Sequence, residues 1–146
     1  MTLDVVLRYR TRRPWAPAPA SLRRWARLAA GDRRGELGIR VVGSHESREL
    51  NERWRGRATP TNVLSFPAAP SIRDRQLGDL VVCAPVVARE AREQGKALRA
   101  HWAHMIVHGT LHLLGFDHER TADAKRMESR ERALLKRLGI ADPYGN

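Results

Sequence analysis

Five of the six histidines lie between positions 101 and 118: His101, His104, His108, His112 and His118. The first four fall within one segment that reads as a helix from about Leu98 to Leu114. A helix advances about 100° per residue, so positions four apart differ by only about 40°. The four helical histidines therefore line one stripe, and imidazoles in such a stripe are suited to holding a divalent metal. Zinc binds nitrogen at about 2.0–2.1 Å, so one ion cannot reach side chains much more than one turn apart. His104 and His112 are about 12 Å apart along the axis. The candidate pairs are thus His104 with His108, or His108 with His112.

A third ligand favours the second pair. Gly115 can take a left-handed conformation and end the helix. The chain then reverses through Phe116 and Asp117, and His118 can return to the end that carries His112. The better triad is His108, His112 and His118, holding one Zn2+ per chain. Three protein ligands leave a fourth coordination position open, as in catalytic rather than structural zinc sites. Such a site can acidify water for hydrolysis near neutral pH. Asp117 can orient a histidine through its second ring nitrogen. His101 and His104 are read as packing or supporting groups before direct participants.

The elements that must position this stripe follow from hydrophobic periodicity. Leu3, Val5, Leu7 and Tyr9 alternate as a first strand, and Leu37, Ile39 and Val41 as a second. Ser21 can cap a helix carrying Leu22, Trp25, Ala26 and Ala29, stopped by Gly31. Ser44 can cap a second helix with Leu50 and Trp54 four apart, ended by Gly56. Val63 to Phe66 is a short strand closed by Pro67, residues 68–76 form a loop, and Asp79 to Cys83 form another strand. Pro85 suits the first turn of a helix running to Gly95. Thr121 can cap a last helix carrying Met127, Leu134, Leu135 and Leu138. The expected architecture is α+β: a single domain over residues 1–146, with a small mixed sheet of about four strands packed against about five helices. Strand order is not legible in the pattern.

Composition sets the class. The chain has 146 residues, 42% of them hydrophobic, enough for one domain with its own core. No stretch approaches the roughly 20 apolar residues of a membrane span, and residues 1–13 contain no apolar signal core. No membrane association is expected, and the cytoplasm is the expected compartment. The single cysteine, Cys83, excludes an internal disulfide framework and a cysteine-rich zinc site. Lys plus Arg outnumber Asp plus Glu by 27 to 16, a formal net charge of +11 that favours polyanionic partners such as RNA.

The segment His108-Gly-Thr-Leu-His112-Leu-Leu-Gly115-Phe-Asp-His118 resembles the signature His-Gly-x-Leu-His-Leu-x-Gly-Tyr-Asp-His of the bacterial YbeY family of rRNA maturation factors. Phe116 is the alternative to the commoner Tyr. Trp54-Arg55-Gly56 with Pro60-Thr61-Asn62-Val63-Leu64-Ser65-Phe66-Pro67 resembles that family's central segment. Leu77-Gly78-Asp79-Leu80-Val81 and His101-Trp-Ala-His104 resemble two further motifs. The resemblance implies that His108, His112 and His118 ligate zinc and that Arg55 acts on RNA in the active-site cleft. It implies a metal-dependent, single-strand-specific endoribonuclease using zinc-activated water. Its expected partners are the 16S rRNA precursor and ribosomal particles, in 3′-end maturation and ribosome quality control. One departure is Arg57-Ala58-Thr59, where the family often has Lys-Asp and a variable residue.

Among other polar residues, Arg55 can form a bidentate pair with phosphate. Asp79 reads as structural, Asn62 as a turn organiser, and Thr61 and Ser65 as non-catalytic. The last helix, with Glu128 and Glu131 among its basic residues, reads as a solvated face first. Two other functions compete. A zinc peptidase would carry its general base beside the first ligand, in His-Glu-x-x-His, but Gly109 cannot take a proton. A non-catalytic rRNA-binding assembly factor would explain the charge but not an open three-histidine site.

Overall fold

A computed structural model describes residues 3–117 and 119–145. The elements run β1 (Asp4–Tyr9), α1 (Pro19–Ala30), β2 (Glu36–Val42), α2 (Ser44–Arg55), β3 (Val63–Pro67), a 3-10 turn (Pro70–Ile72), β4 (Gln76–Cys83), α3 (Ala84–Glu93), α4 (Leu98–Leu113) and α5 (Thr121–Arg137). Among the described residues, five helices and one four-stranded mixed sheet make this the expected α+β arrangement. The sheet order is β1-β2-β4-β3. β1, β2 and β4 are parallel, whereas β3 runs antiparallel to β4 at the edge.

Period-two alternation decides what each sheet face meets. Leu3, Val5, Leu37, Ile39, Val41, Leu80 and Val82 enter the main core with α1, α4 and α5. The intervening Val42, Val81 and Cys83 join Leu64 and Val86 in a smaller cluster beneath Leu50 and Phe66. Cys83 is thus a buried core residue. α4 is buried on almost every side, with Trp102, Ile106, Leu111 and Leu113 fully enclosed. A helix of that kind is a central core element rather than a surface amphipath.

Local chemistry departs from expectation at the helix starts. Ala18, Gly43 and Arg120 occupy the N-cap positions of α1, α2 and α5, without side-chain cap bonds. Ser21, Ser44 and Thr121 instead lie inside the helices. In α1 the cause is Pro19: its fixed φ and missing N–H suit the first turn, so the helix begins two residues before Ser21. The strand expected from Asp79 begins earlier, at Gln76. α2 also turns an unexpected face inward. Ser47 and Asn51 are buried, while Trp54 is 62% exposed and meets Phe66 edge-on. The reason is polar: Ser47 exchanges hydrogen bonds with the backbone of Thr61, and Asn51 donates to the Thr59 carbonyl. These bonds fasten the chain between α2 and β3 alongside the helix.

Candidate metal centre and cleft

α4 presents its histidines as a stacked series. Ring centroids lie 6.1 Å apart for His101 and His104, 6.0 Å for His104 and His108, and 4.6 Å for His108 and His112. The series passes from the buried His101 and His104 to the half-buried His108 and His112. The more exposed end of the stripe therefore carries His108 and His112, the one of the two spacing-allowed pairs that the turn at Gly115 favours.

Hydrogen bonding fixes how those two rings are used. His108 Nδ1 lies 2.9 Å from Glu131 Oε1, and His112 Nδ1 lies 3.1 Å from the Phe116 carbonyl. A carboxylate and a carbonyl only accept, so both Nδ1 atoms are donors in these bonds. In the neutral rings the lone pairs are then on Nε2. The two Nε2 atoms face each other at 3.1 Å. Two facing lone pairs repel unless a proton or a cation lies between them. Two nitrogens held tetrahedrally by one zinc ion would be about 3.3 Å apart. The residues therefore fit a divalent metal with nitrogen ligands.

The turn after α4 provides the Phe116 carbonyl. Gly115 has φ +98°, as the sequence required. Its N–H bonds the His112 carbonyl, and the Phe116 N–H bonds that of Leu111. This reversal brings residue 116 back over His112. Asp117 lines the adjoining cleft and accepts a bond from the Glu119 N–H. The second nitrogens of His108 and His112 thus meet Glu131 and Phe116, where the sequence had offered Asp117. His118 lies outside the described residues.

Behind the pair is a polar network that sequence reasoning missed. Glu131 of α5 is fully buried rather than solvated. It accepts from His104 Nε2 at 2.6 Å, His108 Nδ1 at 2.9 Å and Tyr144 Oη at 2.7 Å. Burial opposes its ionisation, but hydrogen bonds from His104, His108 and Tyr144 outweigh burial and hold its carboxyl down at about 2. Burial lowers the pKa of His104, partly offset by Glu131. Candidate ligand atoms of His104, His108 and Glu131 lie within 4.8 Å of one another, so this buried group could also hold a metal. His101 bonds Glu90 at 2.9 Å. Both rings thus hydrogen-bond buried or half-buried carboxylates, His101 that of Glu90 and His104 that of Glu131. Glu131 was legible in one respect: it shares the apolar face of α5 with Met127, Leu134 and Leu135.

In front of the pair is an open cleft of about 740 Å³, a size that accommodates a ligand segment. Arg55, Arg57, Asn51, Thr61, Asn62 and Ser65 line it together with His108 and His112. Arg55 is the last residue of α2, where Gly56 closes the helix in a left-handed conformation. Arg57 follows one residue later and adds a second cation that the sequence reading did not select. Asn62 organises the strand entry, accepting from the Val63 N–H and donating to Glu90. Ser65 Oγ donates to the Gly109 carbonyl and ties β3 to α4. Asp79 is exposed and lines a different depression, with Arg8, Arg40 and Trp54.

Gly109 faces the sheet. A Cβ there would lie 2.9 Å from Leu80 Cδ2 and 3.2 Å from Val63 Cγ2. A longer side chain would start into the packed core, so the peptidase's adjacent carboxylate has no room here.

The chain is similar to known proteins over most of its length. The family model described as endoribonuclease YbeY matches residues 20–139. A protein of Stenotrophomonas maltophilia strain R551-3 named endoribonuclease YbeY is 53% identical over 150 residues, covering 97% of this chain and 93% of the relative. A protein of the same name from Alkalilimnicola ehrlichii is 57% identical over 136 residues, covering 88% and 82%. The solution structure of TM1509 from Thermotoga maritima has the same fold, with a TM-score of 0.61 at 22% identity, covering 97% of this chain and 99% of that one.

Proposed function

The chain belongs to the endoribonuclease YbeY family, and from that premise we propose that it is a zinc-dependent endoribonuclease that cleaves single-stranded RNA, with His108, His112 and His118 as ligands. The observation that carries the zinc reading is the pair of Nε2 atoms facing each other at 3.1 Å while both Nδ1 atoms are engaged. The group formed by His104, His108 and Glu131 is the weaker ligand set. Its members already hydrogen-bond one another, and Glu131 accepts a third bond from Tyr144.

Bound zinc supplies Lewis acidity at a phosphoryl oxygen and an acidified water at neutral pH. The chain does the rest. Arg55 and Arg57 add positive charge to the cleft that His108 and His112 also line, where a guanidinium can grip a phosphate through two parallel bonds. That grip holds the RNA backbone across the ligands and neutralises charge as phosphorus is attacked. The +11 net charge draws the polyanion to the surface. The biological substrate in this reading is the 16S rRNA precursor, cleaved during 3′-end maturation in the cytoplasm, with a role in ribosome quality control. Among the described residues, no helix is long and apolar enough to cross a membrane.

Metal analysis of the purified protein tests the ligand set. The expected result is one zinc per chain in the wild type and loss of that zinc in His112→Ala. A fully loaded His112→Ala protein would overturn it.

A further inference from the structure

We propose that Glu131 is a positioning residue for the metal centre, fixing the tautomer and orientation in which His108 presents Nε2, and that Tyr144 locks Glu131 in place. The inference rests on the reading that His108 is a ligand. A carboxylate buried as completely as Glu131 is tolerated only when its lone pairs are used. Glu131 meets this condition through one arrangement. Oε1 faces His108 Nδ1, while Oε2 takes both His104 Nε2 and the Tyr144 hydroxyl.

The consequence for His108 is directional. A carboxylate opposite Nδ1 requires hydrogen there, which leaves the lone pair on Nε2, the atom that faces His112. The negative charge also makes that nitrogen a better donor to a cation. His112 achieves the same tautomer with a neutral partner, the Phe116 carbonyl. The two ligands are thus unequally supported, and His108 carries the charged support.

Tyr144 belongs to the segment after α5. That segment folds back through Asp142, which accepts from the Tyr144 N–H at 2.8 Å and pairs with Arg132 of α5 at 2.9 Å. The Tyr144 ring stands edge-on to His104, centroids 5.5 Å apart. The folded-back segment therefore completes the coordination of the buried carboxylate.

The test measures zinc affinity by chelator competition and the His108 tautomer by long-range 15N NMR on metal-free protein. Glu131→Gln keeps the side chain's size but turns an N–H₂ toward donors. It is expected to weaken zinc binding roughly 10–100-fold and to abolish the uniform Nδ1–H tautomer of His108. Tyr144→Phe, which keeps the ring, is expected to weaken zinc binding by a smaller factor of about 3–10. Glu128→Gln, on the same helix and paired with Arg132, serves as the control and should bind zinc like the wild type. A folded Glu131→Gln protein with wild-type affinity and an unchanged His108 tautomer would overturn the proposal. If Glu131→Gln does not fold, Tyr144→Phe decides, and wild-type affinity there would overturn it. His108→Ala and His112→Ala separate the two failures. If they keep zinc, the ligand assignment fails. If they lose it while Glu131→Gln does not, only the positioning role fails.

Discussion

At the scale of residues, the site is a matter of which ring nitrogen carries hydrogen. The histidines were legible in the sequence because four-residue spacing translates directly into one helical stripe. Their second-nitrogen partners were not. The Phe116 carbonyl depends on the path of a turn, and Glu131 was hidden by its helix. Acidic residues among arginines ordinarily read as a solvated face, whereas Glu131 occupies a position that packs beside Met127 and Leu134. Burial of this charge is explained by three donors from other elements, one of them 13 positions further along the chain. Arg55 marks the other residue-scale claim. Removing a group that stabilises charge in the transition state typically costs about 10²–10³ in rate. Arg55→Ala should lose RNA cleavage by that order while keeping its zinc. Arg55→Lys should recover only part, because an ammonium cannot make the bidentate pair. Full activity in Arg55→Ala, measured on single-stranded RNA, would remove it from the mechanism.

At the scale of elements, α4 works because it is pressed onto the sheet. Two glycines make that approach possible. Gly109 admits Leu80 and Val63 against the helix. Gly78 has φ +136°, and a Cβ there would run into the Phe66 carbonyl and lie 3.0 Å from both the Ala68 nitrogen and Leu113 Cδ2. Gly78→Ala therefore adds backbone strain to a clash and should destabilise the protein by about 1–3 kcal/mol, read from denaturant midpoints. Gly109→Glu should fail to yield a stable fold, a result to check by circular dichroism and thermal melting. α3 is held to α4 by Glu90 and His101. Burial raises the Glu90 pKa, but bonds from His101 and Asn62 outweigh it and leave the carboxyl below its ordinary 4.5. A depressed carboxylate stabilises the fold above its unfolded pKa and loses that contribution as pH falls through the folded value. The melting-temperature advantage of wild type over Glu90→Gln should thus be full above about pH 4.5 and shrink below it. An advantage constant across that range would contradict the assignment. The helices and strands themselves were legible from periodicity. Their N-termini were less so, since Pro19 and extended backbone at Ala18, Gly43 and Arg120 set the starts where hydroxyl side chains had been expected to do so.

At the scale of the whole molecule, the order β1-β2-β4-β3 is what places β3 at the sheet edge, beside the histidine-bearing helix α4 and the cleft. Periodicity assigns a strand's faces but not its neighbours. The antiparallel pairing of β3 depends on contacts between segments distant in sequence. Charge is also a whole-molecule property. If arginine and lysine contacts to phosphate supply the affinity, RNA binding should fall steeply between 50 and 200 mM salt, with a linear log–log slope that counts the contacts. A flat response would show that the basic surface is not the RNA platform. The most direct test of the account is cleavage of a labelled single-stranded 16S rRNA precursor by zinc-loaded wild type and by His112→Ala, with RNA affinity measured in parallel. The account predicts that His112→Ala binds RNA within a few-fold of wild type and cleaves it at least about 10³-fold more slowly. Equal cleavage by the two proteins would contradict it.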